Sequence, residues 1–185
     1  AATVPPLTKK QEAKGALQTA VISIDPKTGG IVAFYGGKDY LERQRNAATQ
    51  DVAQAGSTFK IFTLLAALQW GDENGPMSLR SRFDGSSPMY VRDPDQGGGN
   101  EFVNFGGGRG EQFGTIDLVR ATEHSVNTVY AQLNNRITPK LTIKAARAAG
   151  IPDSVKIDDN IGNVLGDASP HPVDMATAYA TIANG

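Results

Sequence analysis

The chain has 185 residues, 39% of them hydrophobic, and a formal net charge of −1. This size and apolar content suit one domain or most of one, and the scattered charges argue against nucleic acid or an anionic membrane as a partner. With no cysteine and only two histidines, His124 and His171, disulfides and thiolate metal sites are excluded and a zinc site is not expected. We therefore predict neither a metal nor a cofactor.

The start of the chain is interpreted as a linker. Residues 1–15 are polar overall and include Pro5 and Pro6, so we assign the folded part to residues 16–185. No stretch approaches the roughly 20 apolar residues that span a bilayer, and no cleavable leader is recognisable. Because the last predicted helix continues to the final residues, we expect the chain to be a piece of a larger protein.

A β-hairpin is predicted next. Residues 17–24 and 30–35 are rich in β-branched side chains. The intervening residues 25–29 include an Asp, a Pro and a Gly, which suit a short hairpin loop. Residues 38–54 are polar and predict a connection.

Residues 57–70 predict a buried helix, since they are apolar on nearly every face. Ser57 and Lys60 lie in its first turn at a spacing that shares a helix face. A hydroxyl beside an amine is the minimum for a serine nucleophile with its own base. A lysine in so apolar a run must reach solvent, pair with a carboxylate, or lie neutral in a cavity. The spacing alone is a weak signal, because a chain of this length contains it by chance about once.

The glycine-rich segment 71–114 predicts turns and irregular surface loops. Its two glycine runs, 97–99 and 106–108, lack the strand before and the helix after that a phosphate-binding loop needs. Asp93 and Asp95 are candidate calcium ligands, but the spacing of an EF-hand is absent, so we do not predict a site.

The remainder is predicted to be mainly helical. Helices are expected at residues 115–122, 128–134, 138–149 and 172–184, with a loop at 153–170. Thr115 is the predicted N-cap of the first of these, and Ser125, Val126 and Asn127 fall at the junction with the second.

Five segments resemble parts of the penicillin-binding proteins, in the same order along the chain. They are Ile24–Gly37, Asn46–Gln50, Ala55–Lys60, Ser125–Asn127 and His171–Gly185. The ordered set looks most like the transpeptidase domain of class A penicillin-binding proteins of the actinobacterial type, from about residue 16 to the end. The resemblance implies an α+β fold like that of penicillin-binding proteins and serine β-lactamases. It would be truncated to the N-terminal β-hairpin of the sheet and the helical subdomain, without the C-terminal strands that hold the third motif.

The same resemblance implies an activity. The parent protein would be a D,D-transpeptidase that cross-links peptidoglycan stem peptides at their D-Ala-D-Ala end through a serine acyl-enzyme, and β-lactams would acylate the same serine. Ser57 is then the nucleophile and Lys60 its base. Ser125 would relay a proton to the leaving amine, and Asn127 would hydrogen-bond the substrate amide. The parent would be membrane-anchored, at the extracytoplasmic face of the bacterial cell membrane.

The sequence departs from the family pattern at the third motif. That motif is Lys-Thr-Gly on a strand after Ser-x-Asn, whereas the only Lys-Thr-Gly here is Lys27–Gly29, in the predicted hairpin turn. We reject it as the third motif and expect the chain to be weakly active or inactive alone. Ala55 and Ile61 stand where many relatives have proline, and we expect both to be tolerated.

Beside the transpeptidase, the sequence leaves two alternatives open: a non-catalytic penicillin-binding-like module and, as a minor alternative, a serine β-lactamase. Many such β-lactamases need a glutamate after Ser-x-Asn, and no glutamate follows Glu123, which argues against one class of them only. A truncated sheet also leaves an exposed edge, so we expect self-association.

Overall fold

The structure is a computed structural model that describes residues 18–37, 41, 44–93 and 97–185. The predicted linker, residues 1–15, lies outside the described residues. The helices and strands, in chain order, are β1 (Val21–Ile24), β2 (Ile31–Tyr35), α1 (Ala47–Gln50), α2 (Lys60–Gln69), β3 (Arg82–Asp84), β4 (Met89–Asp93), β5 (Gly98–Phe102), β6 (Thr115–Asp117), α3 (Leu118–Glu123), α4 (Asn127–Ile137), α5 (Pro139–Ala149) and α6 (Pro172–Asn184). In the described part of the chain, no helix is long and apolar enough to cross a membrane.

The described residues form two compact units. One contains the described part of residues 1–53 with Ala149–Pro152 and Ser169–Gly185, and the other contains Gln54–Ala148 and Asp153–Ala168. The first unit holds the hairpin, α1 and α6. The second holds α2 to α4, most of α5 and the remaining strands.

The first unit is built on the predicted β-hairpin. Strands β1 and β2 pair antiparallel, with Val21 opposite Tyr35, and α6 packs against β1. The Asp25 carboxylate closes the turn, accepting from the Lys27 N–H and the Thr28 hydroxyl, both at 2.9 Å. Lys27–Gly29 is therefore a turn and not a substrate-facing strand.

The second unit buries α2 as the sequence predicts. Phe59 and Phe62 are fully buried and meet edge to face, with ring centroids 4.8 Å apart. Helix α4 packs beside α2, and its Tyr130 and Leu133 are also buried. The chain before α2 forms a 3₁₀ turn, Gly56–Phe59, instead of an α-helical turn.

The expectation of irregular structure across residues 71–114 is wrong in part. The segment contributes to two short antiparallel pairs: β3 pairs with β6, with Arg82 opposite Asp117, and β4 pairs with β5, with Met89 opposite Phe102. Glycine-rich β5 was not predicted because glycine disfavours strands. Cross-strand pairing and burial of Phe102 override that preference. The glycine run at 106–108 does lie in a loop.

The predicted helix start at Thr115 is also wrong. Thr115 belongs to strand β6, and the helix begins after Asp117, whose carboxylate accepts from the Arg120 N–H at 2.9 Å. Aspartate is as good an N-cap as threonine or better, and the competing pairing with β3 places Thr115 in a strand. Two smaller differences are a 3₁₀ helix at Ile161–Leu165, inside the predicted loop, and the extension of α4 to Ile137.

A buried polar network joins the helices of the second unit. The Thr142 hydroxyl lies 2.9 Å from the Thr63 hydroxyl of α2 and 2.7 Å from Oδ1 of Asn134 in α4. The Asn134 amide then donates to Asn163 Oδ1 at 2.9 Å. All four side chains are fully buried. Because each is hydrogen-bonded, the network resists sliding of α2 against α4.

Candidate active site

Ser57 projects from the 3₁₀ turn Gly56–Phe59. Gly56 has φ 57°, in the left-handed region that glycine adopts readily. Its N–H donates to the Gly166 carbonyl at 3.0 Å. A Cβ on Gly166 would lie 2.1 Å from the Gly56 oxygen. Two glycine backbones in direct contact therefore set the turn that carries Ser57.

Lys60, the first residue of α2, is buried, with 4% of its surface exposed. Burial lowers its pKa from 10.5 to about 8, because removal from water disfavours the charged form. Among the described residues, no carboxylate contributes to this shift. Of the three possibilities that the sequence leaves open, the structure shows a buried lysine that neither reaches solvent nor pairs with a described carboxylate.

Four oxygen atoms surround the Lys60 nitrogen. Nζ lies 2.7 Å from the Ser125 carbonyl oxygen and 2.6 Å from Asn127 Oδ1. It lies 3.1 Å from Ser57 Oγ and 3.0 Å from Ser125 Oγ. The first two oxygens can only accept, whereas a hydroxyl can donate or accept. A neutral amine that donates to the carbonyl and amide oxygens therefore keeps its lone pair for one of the two serine hydroxyls.

Ser125 occupies a strained backbone position after α3. Its φ is 52°. Its N–H donates to the Thr122 carbonyl at 3.1 Å, and the Val126 N–H donates to the Ala121 carbonyl at 2.9 Å. These two bonds define a Schellman motif with Ser125 at the left-handed position that glycine usually occupies. A non-glycine residue there costs about 1–2 kcal/mol, and strain of this kind is concentrated at functional sites.

Asn127 is the first residue of α4. Its Nδ2 donates to the backbone carbonyl of Val103 at 2.8 Å, while its Oδ1 faces Lys60. This pair of contacts fixes which end of the amide meets the lysine.

Tyr130 belongs to the same site and was not singled out from the sequence. The Lys60 nitrogen lies 5.5 Å from the centre of its ring, within the range of a cation–π contact. Its hydroxyl lies 2.7 Å from Thr122 Oγ1. One sequence signal could have identified Tyr130: it follows Asn127 by three residues in α4, and residues three apart share a helix face.

The structure thus brings together the four residues predicted from the sequence, Ser57, Lys60, Ser125 and Asn127. Among the described residues, no group of three or more His, Cys, Asp or Glu side chains could hold a metal ion. Asp95, one of the two weighed calcium ligands, lies outside the described residues. His171 is placed in the first unit, at the N-cap of α6. Its Nδ1 lies 2.9 Å from the Asp51 carbonyl oxygen.

Comparison with known proteins identifies the family. Residues 19–185 match the model of the penicillin-binding protein transpeptidase domain. The chain is 36% identical over 185 residues to penicillin-binding protein 1A of Mycolicibacterium smegmatis, covering 90% of this chain and 21% of that protein. Penicillin-binding protein 1A of Mycobacterium tuberculosis is also 36% identical, covering 90% of this chain and 20% of that protein. The chain therefore spans about a fifth of the length of these curated relatives.

Solved structures agree with this result. Penicillin-binding protein 1A from Haemophilus influenzae superposes with a TM-score of 0.77 at 28% identity, covering 90% of this chain and 23% of that one. PonA1 of Mycobacterium tuberculosis, solved in complex with penicillin V, gives a TM-score of 0.71 at 32% identity, covering 95% of this chain and 47% of that one. The α+β fold expected from the resemblance is confirmed, and the chain belongs to the family of penicillin-binding protein transpeptidase domains.

Proposed function

We propose that this chain carries the nucleophile, the base and the proton relay of a serine-type D,D-transpeptidase that cross-links peptidoglycan stem peptides. The observation that carries the proposal is a single buried amine, Lys60 Nζ, within 3.1 Å of Ser57 Oγ and 3.0 Å of Ser125 Oγ. A lysine that is partly neutral near physiological pH can take a proton from one hydroxyl and return it through the other.

In the proposed first step, Ser57 Oγ attacks the carbonyl carbon between the two terminal D-alanines, and its proton passes to Lys60. The Ser57 N–H lies in the first turn of a 3₁₀ helix, where N–H groups lack intrahelical partners, so it can serve as one donor to the oxyanion. The C–N bond then breaks, and a proton moves from Lys60 through Ser125 to the departing D-alanine amine. Asn127 hydrogen-bonds the substrate amide and orients it.

In the proposed second step, the amine of a neighbouring stem peptide attacks the Ser57 ester. A new amide bond forms, the amine proton returns to Ser57 by way of Lys60, and the free hydroxyl is restored. A β-lactam follows only the first step: its ring C–N bond breaks and the acyl group stays on Ser57. The PonA1 neighbour in complex with penicillin V supports β-lactam as the probe ligand.

We further propose that acylation by this chain alone is slow. Its only Lys-Thr-Gly is the hairpin turn at residues 27–29, so no second oxyanion donor from such a strand is available. Loss of one oxyanion donor costs about 10²–10³ in rate. A non-catalytic penicillin-binding-like module is the second candidate for the same reason.

A fluorescent penicillin separates these functions. Intact mass after incubation should show one adduct per chain, absent in Ser57→Ala, and release of the adduct should be slow. Labelling only of a longer chain that adds a Lys-Thr-Gly strand would support the module for this chain and the transpeptidase for the parent. Rapid release would favour a serine β-lactamase, and no labelling of either chain would overturn the proposal.

By family, we propose that the parent is anchored in the bacterial cell membrane and acts at its extracytoplasmic face.

We also propose that this chain self-associates through its hairpin. Ile31, Val32 and Phe34 are 55%, 66% and 51% exposed, and an exposed apolar strand invites pairing with a second copy. Light scattering after size exclusion should show a dimer that Val32→Lys weakens, whereas a monomer at every concentration would contradict this.

A further inference from the structure

The helix that carries Asn127 begins without a side-chain cap of its own. Val126 stands at the N-cap position of α4 and offers no hydrogen-bonding side chain. The hydroxyl of the preceding residue, Ser125, lies beside Lys60. The first four N–H groups of a helix lack intrahelical partners and need acceptors from elsewhere.

Asn104 supplies that acceptor from a distant loop. Its Oδ1 accepts from the Thr128 N–H, the second residue of α4, at 3.0 Å. Its Nδ2 donates to the carbonyls of Gly85 at 3.0 Å and Glu111 at 2.9 Å. Asn104 is 5% exposed. A flip of its amide would place the oxygen against two carbonyls, so its orientation is fixed.

The neighbouring residue, Val103, orients the Asn127 side chain. The Val103 carbonyl accepts from Asn127 Nδ2 at 2.8 Å, which leaves the Asn127 oxygen facing Lys60 at 2.6 Å. The backbone at this point is held in turn, because the Asn104 N–H donates to Ser87 Oγ at 2.9 Å. Two consecutive residues thus hold both the backbone of α4 and the side chain of its first residue.

We propose that Asn104, acting with the Val103 carbonyl, is a positioning residue that holds the Ser125–Asn127 segment in the geometry that acylation requires. The inference rests on the proposed function. Removal of the Asn104 side chain should free the Thr128 N–H and let the loop and the Asn127 amide drift from Lys60. A displacement of about 1 Å in a catalytic group can lower a rate about 100-fold.

The first measurement needs no activity. Amide hydrogen exchange of the wild-type 185-residue chain should show a protected Thr128 N–H, although that residue lies in the first turn of its helix. In Asn104→Ala this protection should fall at least tenfold more than that of Leu133, in the middle of α4. Fast exchange of Thr128 in the folded wild-type chain would overturn the proposal even if the variant did not fold.

The matched control is Gln112→Ala. Gln112 holds the same loop by side-chain hydrogen bonds. Its Oε1 accepts from the Ser87 N–H at 3.1 Å, and its Nε2 donates to the Gly110 carbonyl at 3.1 Å. Within the described part of the chain, none of its hydrogen bonds reaches α4. This variant should keep the Thr128 protection and an acylation rate within about twofold of wild type.

The second measurement is a double-mutant cycle on penicillin acylation, in whichever chain the Ser57 experiment finds to be labelled. Asn104→Ala should slow acylation at saturating penicillin by about 10- to 100-fold. In a chain that already carries Asn127→Ala, Asn104→Ala should slow acylation less than threefold further. The reason is that Asn104→Ala acts by displacing the Asn127 amide, which Asn127→Ala has already removed. If the double variant is slowed by the product of the two single fold reductions in acylation rate, Asn104 has a merely structural role. If no chain is labelled, the proposed function fails, and the exchange measurement still decides the positioning role.

Discussion

Oδ1 of Asn127 lies 2.6 Å from Lys60 Nζ, closer than the Ser57 hydroxyl at 3.1 Å. The Asn127 oxygen and the Ser125 carbonyl both act only as acceptors, so together they hold two amine protons. A third proton on Lys60 must therefore point towards a serine hydroxyl, and its loss leaves a lone pair in that direction. In the proposed function, the protonation state of Lys60 is therefore the variable that controls Ser57.

Acylation should depend on pH through Lys60. Since burial lowers its pKa to about 8 and the base must be neutral, the rate of penicillin acylation should rise about tenfold per pH unit below that value and level off above it. Rates measured from pH 5.5 to 9.5 test this. In Lys60→Arg, which stays protonated, any residual rate should show no such rise, and a flat wild-type profile between pH 6 and 8 would contradict the role of Lys60.

The same pKa makes the stability of the chain depend on pH. The unfolded state keeps the lysine proton up to about its ordinary value of 10.5, whereas the folded state releases it near 8. Because the unfolded state binds more protons in this window, stability rises with pH there and is flat in this respect below it. The free energy of unfolding should increase by up to about 3 kcal/mol between these limits relative to Lys60→Met, since one pKa unit corresponds to about 1.4 kcal/mol. Urea titrations of the wild type and of Lys60→Met at pH 7, 8 and 10 measure this difference in the free energy of unfolding. If that free energy changed with pH by the same amount in both proteins, the lowered pKa of Lys60 would be refuted.

Ser125 should trade stability for activity. Its φ of 52° suits glycine, so Ser125→Gly should relieve strain and raise the free energy of unfolding by about 1 kcal/mol. Ser125→Ala removes the same hydroxyl but keeps the strain, so it should not be stabilised. Both should slow acylation to a similar degree, about 10²-fold or more. Thermal melts with penicillin labelling of both variants test this, and a Gly variant less stable than the Ala variant would contradict it.

Gly166 should tolerate no side chain. A Cβ there would lie 2.1 Å from the Gly56 oxygen, and φ is 73°, so Gly166→Ala should lose at least about 2 kcal/mol from strain and overpacking together. Gly107→Ala is the matched control, because its φ is 52° and nothing lies within 4 Å of its Cβ position. It should lose only the backbone strain of about 1–2 kcal/mol, without any cost of overpacking. Equal losses in chemical denaturation would show that backbone contact with Gly56 is unimportant.

Long, strongly patterned elements were predictable, and short paired ones were not. The buried helix was predicted from its apolar run, and α6 was predicted with its observed bounds, Pro172–Asn184. Strands β3 to β5 were missed because each depends on a partner that sequence patterns do not identify; Arg82, for instance, lies opposite Asp117. The same pairing moved the start of α3 beyond Thr115.

The sequence by itself determined which residues are candidates for the site, because Ser57 and Lys60 have the spacing of one helical face and Ser125 and Asn127 follow them in an order that resembles the family. Only the tertiary structure decided the rest. It brought Lys60 to Ser125, 65 positions away, and buried the amine so that its pKa falls. It also placed Asn104 and Val103 against α4. Burial and long-range hydrogen bonds depend on which elements pack together, and no local spacing encodes that choice.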